Sequence, residues 1–131
     1  MQVGAWGERT AVRFLERHGL VVLKRNWQSG RLEADLVALD GKTIVITEVK
    51  TRHWNQRERY PALAAIDAGK RRRLDRLCAS FMRNNGPLQR RFRLNATRID
   101  GVEVYYERRP FGFRRATRIS WHKGLSLEIP R

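Results

Sequence analysis

Leu32-Glu33-Ala34-Asp35-Leu36-Val37-Ala38-Leu39-Asp40-Gly41-Lys42-Thr43-Ile44-Val45-Ile46-Thr47-Glu48-Val49-Lys50 is the stretch whose reading decides the fold. Two runs rich in β-forming residues flank an Asp-Gly pair, a strong short-range signal for a hairpin. With Asp40-Gly41 as the turn, Leu39 faces Lys42, Glu33 faces Glu48 and Asp35 faces Ile46. Period-two alternation then projects Glu33, Asp35, Glu48 and Lys50 from one face. Facing like charges repel, and removing them from water costs more still. A shared proton, a salt bridge to Lys50 or a divalent cation would offset that cost. The opposite face (Ala34, Leu36, Ala38, Val45, Thr47, Val49) is also largely apolar, which suggests a strand pair at the centre of a sheet covered by helices.

Outward from the hairpin, residues 5–18 read as a helix. Ala5, Glu8, Ala11, Val12 and Leu15 share one stripe, and Gly19 is placed as its C-terminal stop. Glu8 thus lies on the apolar stripe, where it either favours the helix dipole or delivers a further carboxylate to the acidic face. Residues 20–27 read as a strand. Residues 51–61 are polar and aperiodic, the pattern of a mobile loop, with Trp54 and Tyr60 set among arginines. A second helix is expected from Asp67, its N-cap, to Met82, with Asn84-Asn85-Gly86-Pro87 as the stop. Ile66, Lys70, Leu74, Leu77 and Phe81 share its inward stripe, while Arg71, Arg72, Arg73 and Arg76 cover the solvent side and suit phosphate contact. Asp100-Gly101, between residues 92–99 and 102–106, reads as a second hairpin turn. Farther on, Phe111-Gly112-Phe113-Arg114-Arg115 is an Arg/aromatic patch, and residues 119–121 suggest a short edge element. The order of helix, three strands, helix and strands implies a mixed α/β sheet flanked by helices. The 131 residues fit a single domain, with a core at about 4–106 and a tail at 107–131.

Composition narrows the function. With 41% hydrophobic residues the chain is not of the disordered class. Cys78 is the only cysteine, which excludes an intrachain disulfide and a cysteine-based zinc site. No apolar run approaches the ~20 residues of a membrane span. The N-terminal residues lack a signal-peptide pattern, so a cytoplasmic location is expected. The formal charge is +15, and 23 of the 28 basic residues are arginine, whose planar fork suits phosphate. Nucleic acid is the expected partner, DNA before RNA. No membrane partner is expected.

Asp35 followed by Glu48-Val49-Lys50 forms an Asp…Glu-x-Lys pattern, in which the x is required because period two puts Glu48 and Lys50 on the same side. Two carboxylates supply oxygen ligands suited to Mg²⁺ or Mn²⁺. Lys50 could stabilise negative charge developing on a phosphodiester. As a bare pattern this is weak, and a surface salt-bridge cluster of Glu33, Glu48, Lys50 and Arg52 is the plain alternative.

The ordered set of motifs is more specific. Gly7-Glu8, Asn26-Trp27, residues 33–38 (Glu-Ala-Asp-Leu-Val-Ala), residues 46–52 (Ile-Thr-Glu-Val-Lys-Thr-Arg) and Lys70 resemble the YraN-like family of small bacterial proteins. That family is placed in the PD-(D/E)xK nuclease superfamily and is similar in fold to Holliday-junction resolvases. The resemblance covers residues 4 to about 100. It implies a restriction-endonuclease-like core, with Asp35 and Glu48 as metal ligands, Lys50 as catalytic lysine and Glu8 as an additional carboxylate. It also implies a supporting role for Glu33 and, by analogy with resolvases, a homodimer. The chain departs from the family pattern at Leu32, usually glycine, and at Arg93, usually aspartate. The functional expectation is a metal-dependent nuclease acting on DNA, on branched or structured DNA by analogy. The alternatives are a nucleic-acid-binding protein that keeps the fold without catalysis and an RNA-associated protein.

Overall fold

A computed structural model describes residues 2–57 and 68–124. Helix α1 (Val3–Arg17) ends where the pattern predicts. Gly19, at φ 89°, donates to the Glu16 carbonyl, and Leu20 donates to the Leu15 carbonyl. This is the Schellman arrangement that satisfies the last carbonyls of a helix. Strands β1 (Val21–Ser29), β2 (Leu32–Asp40) and β3 (Thr43–His53) form an antiparallel meander. The chain then passes through a 3₁₀ turn (Trp54–Gln56), α2 (Ala68–Asn84) and α3 (Gly86–Arg91) to β4 (Ala96–Arg108). Strand β4 runs parallel to β3, and β5 (Arg114–His122) closes the sheet antiparallel to β4. The order is β1-β2-β3-β4-β5.

Helices α1 and α2 cover opposite faces of this sheet. Leu74, Leu77, Cys78 and Phe81 of α2 pack on Val37, Leu39, Ile44, Ile46 and Ile99. Ala11, Val12 and Leu15 of α1 pack on Leu36, Ala38, Val45, Val102 and Val104. The expected burial of the hairpin on both faces is therefore met, and the mixed α/β architecture is the one the pattern implies. No helix among the described residues is long and apolar enough to cross a membrane.

Several local expectations are corrected. Asp40 pairs with Thr43, so the turn is Gly41-Lys42 and the facing pairs are shifted. Gly41 holds φ 61° while Lys42 stays out of the positive-φ region, the φ signs of a type II′ turn with glycine first. Asp40 remains extended, where its carboxylate meets Arg98 at 2.9 Å. Because the slip preserves parity, Asp35 and Glu48 keep the expected face. Ala34 does not keep its own: it joins the α2-side cluster, at the end of β2 beyond the last β2–β3 pair, Leu36–Thr47.

Asp100-Gly101 is no turn but the interior of β4. Asp100 is fully buried, and accepts hydrogen bonds from Arg98, the Trp121 indole and the Gly124 amide. Thr51, Arg52 and His53, expected in a loop, extend β3 as partners of Val104, Tyr105 and Tyr106. Trp54 packs edge-on against Tyr105 at 5.9 Å. Residues 114–122 form a full edge strand where only a short element was expected at 119–121. Tyr60, Ile66 and the expected N-cap Asp67 lie outside the described residues.

Candidate active site

The β2–β3 ladder opens at its Leu36–Thr47 end, and Asp35 stands in the opening. Its Oδ2 accepts a hydrogen bond from the Val49 amide at 2.8 Å, so a side chain replaces a backbone carbonyl as partner to β3. The register carries a row across the sheet at this level. Asn26, between the pairs Arg25–Leu36 and Trp27–Ala34, lies across from Asp35. Glu48, one step beyond Thr47, lies on the other side of Asp35 and is paired in turn with Gly101.

Glu48 is 3% exposed, and its Oε1 meets two ammonium groups, Lys50 Nζ at 3.1 Å and Lys70 Nζ at 2.5 Å. A buried carboxylate needs such compensation. Lys50 reaches it by strand period two, and Lys70 descends from the first turn of α2, as its place on the inward stripe predicts. Burial alone would lower the Lys70 ammonium, but the bond to Glu48 leaves it above its ordinary range. Burial pushes the Asp35 carboxyl up to about 7; the Glu48 charge adds to the rise, against the Val49 hydrogen bond and the Lys70 charge.

Glu8 reaches the same region from the opposite face. Gly7 permits this: a Cβ there would lie 1.8 Å from Thr51 Oγ1, so α1 sits hard against β3 at this point only because Gly7 has no side chain. Burial raises the Glu8 carboxyl, and Glu33 and Glu48 raise it further, while a hydrogen bond with Asn26 and the charge of Arg25 hold it down. Asn26 sits at φ 48°, a left-handed conformation that asparagine tolerates better than most residues. The sequence marked Asn26 only as part of a resemblance, and nothing in period or propensity reveals its contact with Glu8.

The remaining expected residues divide. Glu33 lines a cavity of about 170 Å³ with Lys70, Arg73, Arg31 and Leu32 beside the acidic row. Arg72 and Arg76 are exposed on α2, and Arg71 is half-buried. Arg52 donates to the Thr51 carbonyl. Of the plain alternative, a surface salt-bridge cluster, the Lys50–Glu48 pair forms, but Glu48 is buried, its second cation is Lys70, and among the described residues Arg52 makes no salt bridge to Glu33 or Glu48.

The donor set suits a small hard cation. Mg²⁺ is commonly held by one or two carboxylates, with water and substrate phosphate completing the shell. Asp35 Oδ1 and Glu48 Oε2 have no protein partner among the described residues. In the same set no three His, Cys, Asp or Glu side chains are gathered tightly enough to enclose an ion. Glu8 enters the field of the pair without completing a cage.

A mixed five-stranded sheet between helices, with carboxylates where its central antiparallel ladder opens, is consistent with a restriction-endonuclease-like α/β fold. Residues 7–104 match the sequence profile of Uncharacterised protein family UPF0102. The chain belongs to that family, the one its motifs indicate. Relatives carrying the same description include a protein of Paenarthrobacter aurescens, 40% identical over 104 residues, which are 78% of each chain. A protein of Mycolicibacterium vanbaalenii is 36% identical over 126 residues, 95% of this chain and 93% of its own. One of Streptomyces coelicolor is 42% identical over 85 residues, 64% of each.

Proposed function

We propose that this protein is a Mg²⁺- or Mn²⁺-dependent nuclease that hydrolyses phosphodiester bonds of DNA. The observation that carries the reading is the pairing of Asp35 and Glu48 where the β2–β3 ladder opens, with Lys50 and Lys70 on the Glu48 carboxylate. Asp35 and Glu48 would hold the cation, which when bound supplies Lewis-acid charge and an acidified water. Lys70 fixes the Glu48 carboxylate, and Lys50 brings a positive charge to the same oxygen, placed to meet negative charge developing on a phosphate. Tight packing of α1 at Gly7 brings Glu8 into the field of both carboxylates. The net charge of +15 draws the polyanion in. Arg73, on the adjoining cavity, is placed to contact the backbone beside the site.

A second reading has its own observation. With both lysines on Glu48, the site is already charge-compensated without an ion, as a nucleic-acid-binding protein without catalysis would need. Incubation with linear, nicked and four-way DNA in Mn²⁺ separates the two. The nuclease reading predicts cleavage that falls about 100-fold or more in Asp35→Ala and Glu48→Ala. Cleavage that persists unchanged in both variants refutes the assignment. Salt-sensitive binding without turnover in any divalent metal favours the second reading.

A further inference from the structure

The face that carries Lys50 does not end at β3. Lys50 pairs with Glu103 on β4, and Glu103 pairs with Ser120 on β5. There the sheet floors a cavity of about 340 Å³, walled by Trp54, Arg57, Glu103, Tyr105, Arg118 and His122. Its single carboxylate is already engaged: Glu103 accepts a hydrogen bond from the Tyr105 hydroxyl at 2.8 Å and meets His122 Nε2 at 2.7 Å. Two guanidinium groups are not so engaged. Arg57 donates to the Trp54 carbonyl and lies 4.3 Å from the centre of the Trp54 ring, and Arg118 donates to Ser120 Oγ. Neither meets a carboxylate among the described residues.

Among the described residues the cavity therefore combines two guanidinium groups outside any salt bridge with a guanidinium lying over an indole ring. An inorganic anion would use the first but not the second, and an apolar ligand would use neither guanidinium charge. A nucleotide uses both, since bases stack on arginine planes and on aromatic rings while phosphate takes a guanidinium. The volume lies in the range of small-ligand sites. The β5 side of the cavity lies about 10 Å from Lys50, two strand spacings, so one strand of nucleic acid could run from the acidic row into it.

We infer that this cavity seats one unpaired nucleotide of the substrate strand beside the scissile phosphate, with its phosphate on Arg118 and its base against the Arg57–Trp54 stack. This rests on the nucleic-acid reading above and adds a substrate class. A base held in a duplex must unstack to enter, so a single strand or a frayed end is preferred over continuous duplex.

The test is binding by fluorescence anisotropy in EDTA, where cleavage plays no part, using a short labelled single strand and the same sequence as duplex. The wild-type protein is expected to bind the single strand more tightly. Arg118→Ala should weaken that binding about tenfold and reduce the salt slope by about 0.7, the loss of one phosphate contact on a single strand. Arg118→Lys should restore the slope, which a merely structural role would not do. Arg57→Ala should weaken single-strand binding about tenfold and leave duplex binding nearly unchanged. Equal wild-type affinity for strand and duplex overturns the inference, as do variants that bind like wild type, and in either case the nucleic-acid reading stands. Failure of the wild-type protein to bind either form overturns both.

Discussion

Replacing Gly7 with alanine tests how α1 is held against the site. The added methyl would sit 1.8 Å from Thr51 Oγ1, 2.9 Å from Thr51 Cβ and 3.0 Å from Thr51 Cγ2. Carbon atoms pack comfortably at about 3.5–4.0 Å. Rotating Thr51 could move its oxygen and methyl but not its Cβ, which is fixed to the β3 backbone. The helix must therefore back away by about 0.5–1 Å to regain that spacing. Overpacking of this kind costs about 1–3 kcal/mol, against which alanine returns up to about 1 kcal/mol of helix propensity. The expected net loss is about 1–2 kcal/mol, or roughly 3–8 °C in thermal midpoint for a domain of this size. Gly4→Ala in the same helix is the control, because nothing lies within 4 Å of its Cβ position, and it should be neutral or slightly stabilising. Thermal unfolding measures both. In a cycle with Thr51→Gly, which removes all three contact atoms, the coupling should reach about 1 kcal/mol or more. If Gly7→Ala is as stable as Gly4→Ala, α1 is not held by this contact, and the account of how Glu8 reaches the acidic row fails.

Two further outcomes follow from charge burial. In metal-free buffer the Asp35 carboxyl stands at about 7, well above its ordinary 3.8, so the folded chain binds this proton more tightly than the unfolded one. Its contribution to stability is full below the unfolded value and is lost as pH rises from about 4 through 7. Asp35→Asn should therefore gain on wild type between pH 5 and pH 8 by about 2–3 kcal/mol in denaturant unfolding, and a difference that does not change with pH contradicts this. Arg98→Ala leaves the fully buried Asp100 with the Trp121 indole and the Gly124 amide but no cation among the described residues, at a cost of about 3 kcal/mol, measurable in the same unfolding experiment. A loss below about 1 kcal/mol would show that Asp100 needs no charge partner.

What was legible in the chain was whatever a local period can encode. Period two placed Asp35, Glu48 and Lys50 on one face, and that survived an error in the turn because the true register differs by an even step. The 3.6-residue stripe placed Lys70 inward on α2 and Glu8 inward on α1. Asp-Gly misled twice, in different ways. At 40–41 the glycine opens the turn instead of closing it, freeing Asp40 for Arg98. At 100–101 there is no turn, because the Asp100 carboxylate is engaged by Arg98 two residues back and by Trp121 and Gly124 from far along the chain. Three features had no local signal: the left-handed Asn26, the Asp35–Val49 hydrogen bond that marks the ladder's opening, and the cavity over β4 and β5. Each depends on segments far apart in sequence meeting across the sheet.

Titration of the metal-free protein with Mn²⁺ by calorimetry tests the central claim most directly. The account predicts a saturable site in the wild-type protein that disappears in both Asp35→Ala and Glu48→Ala. No heat of binding, or binding that both variants retain, would contradict a cation site on these two carboxylates.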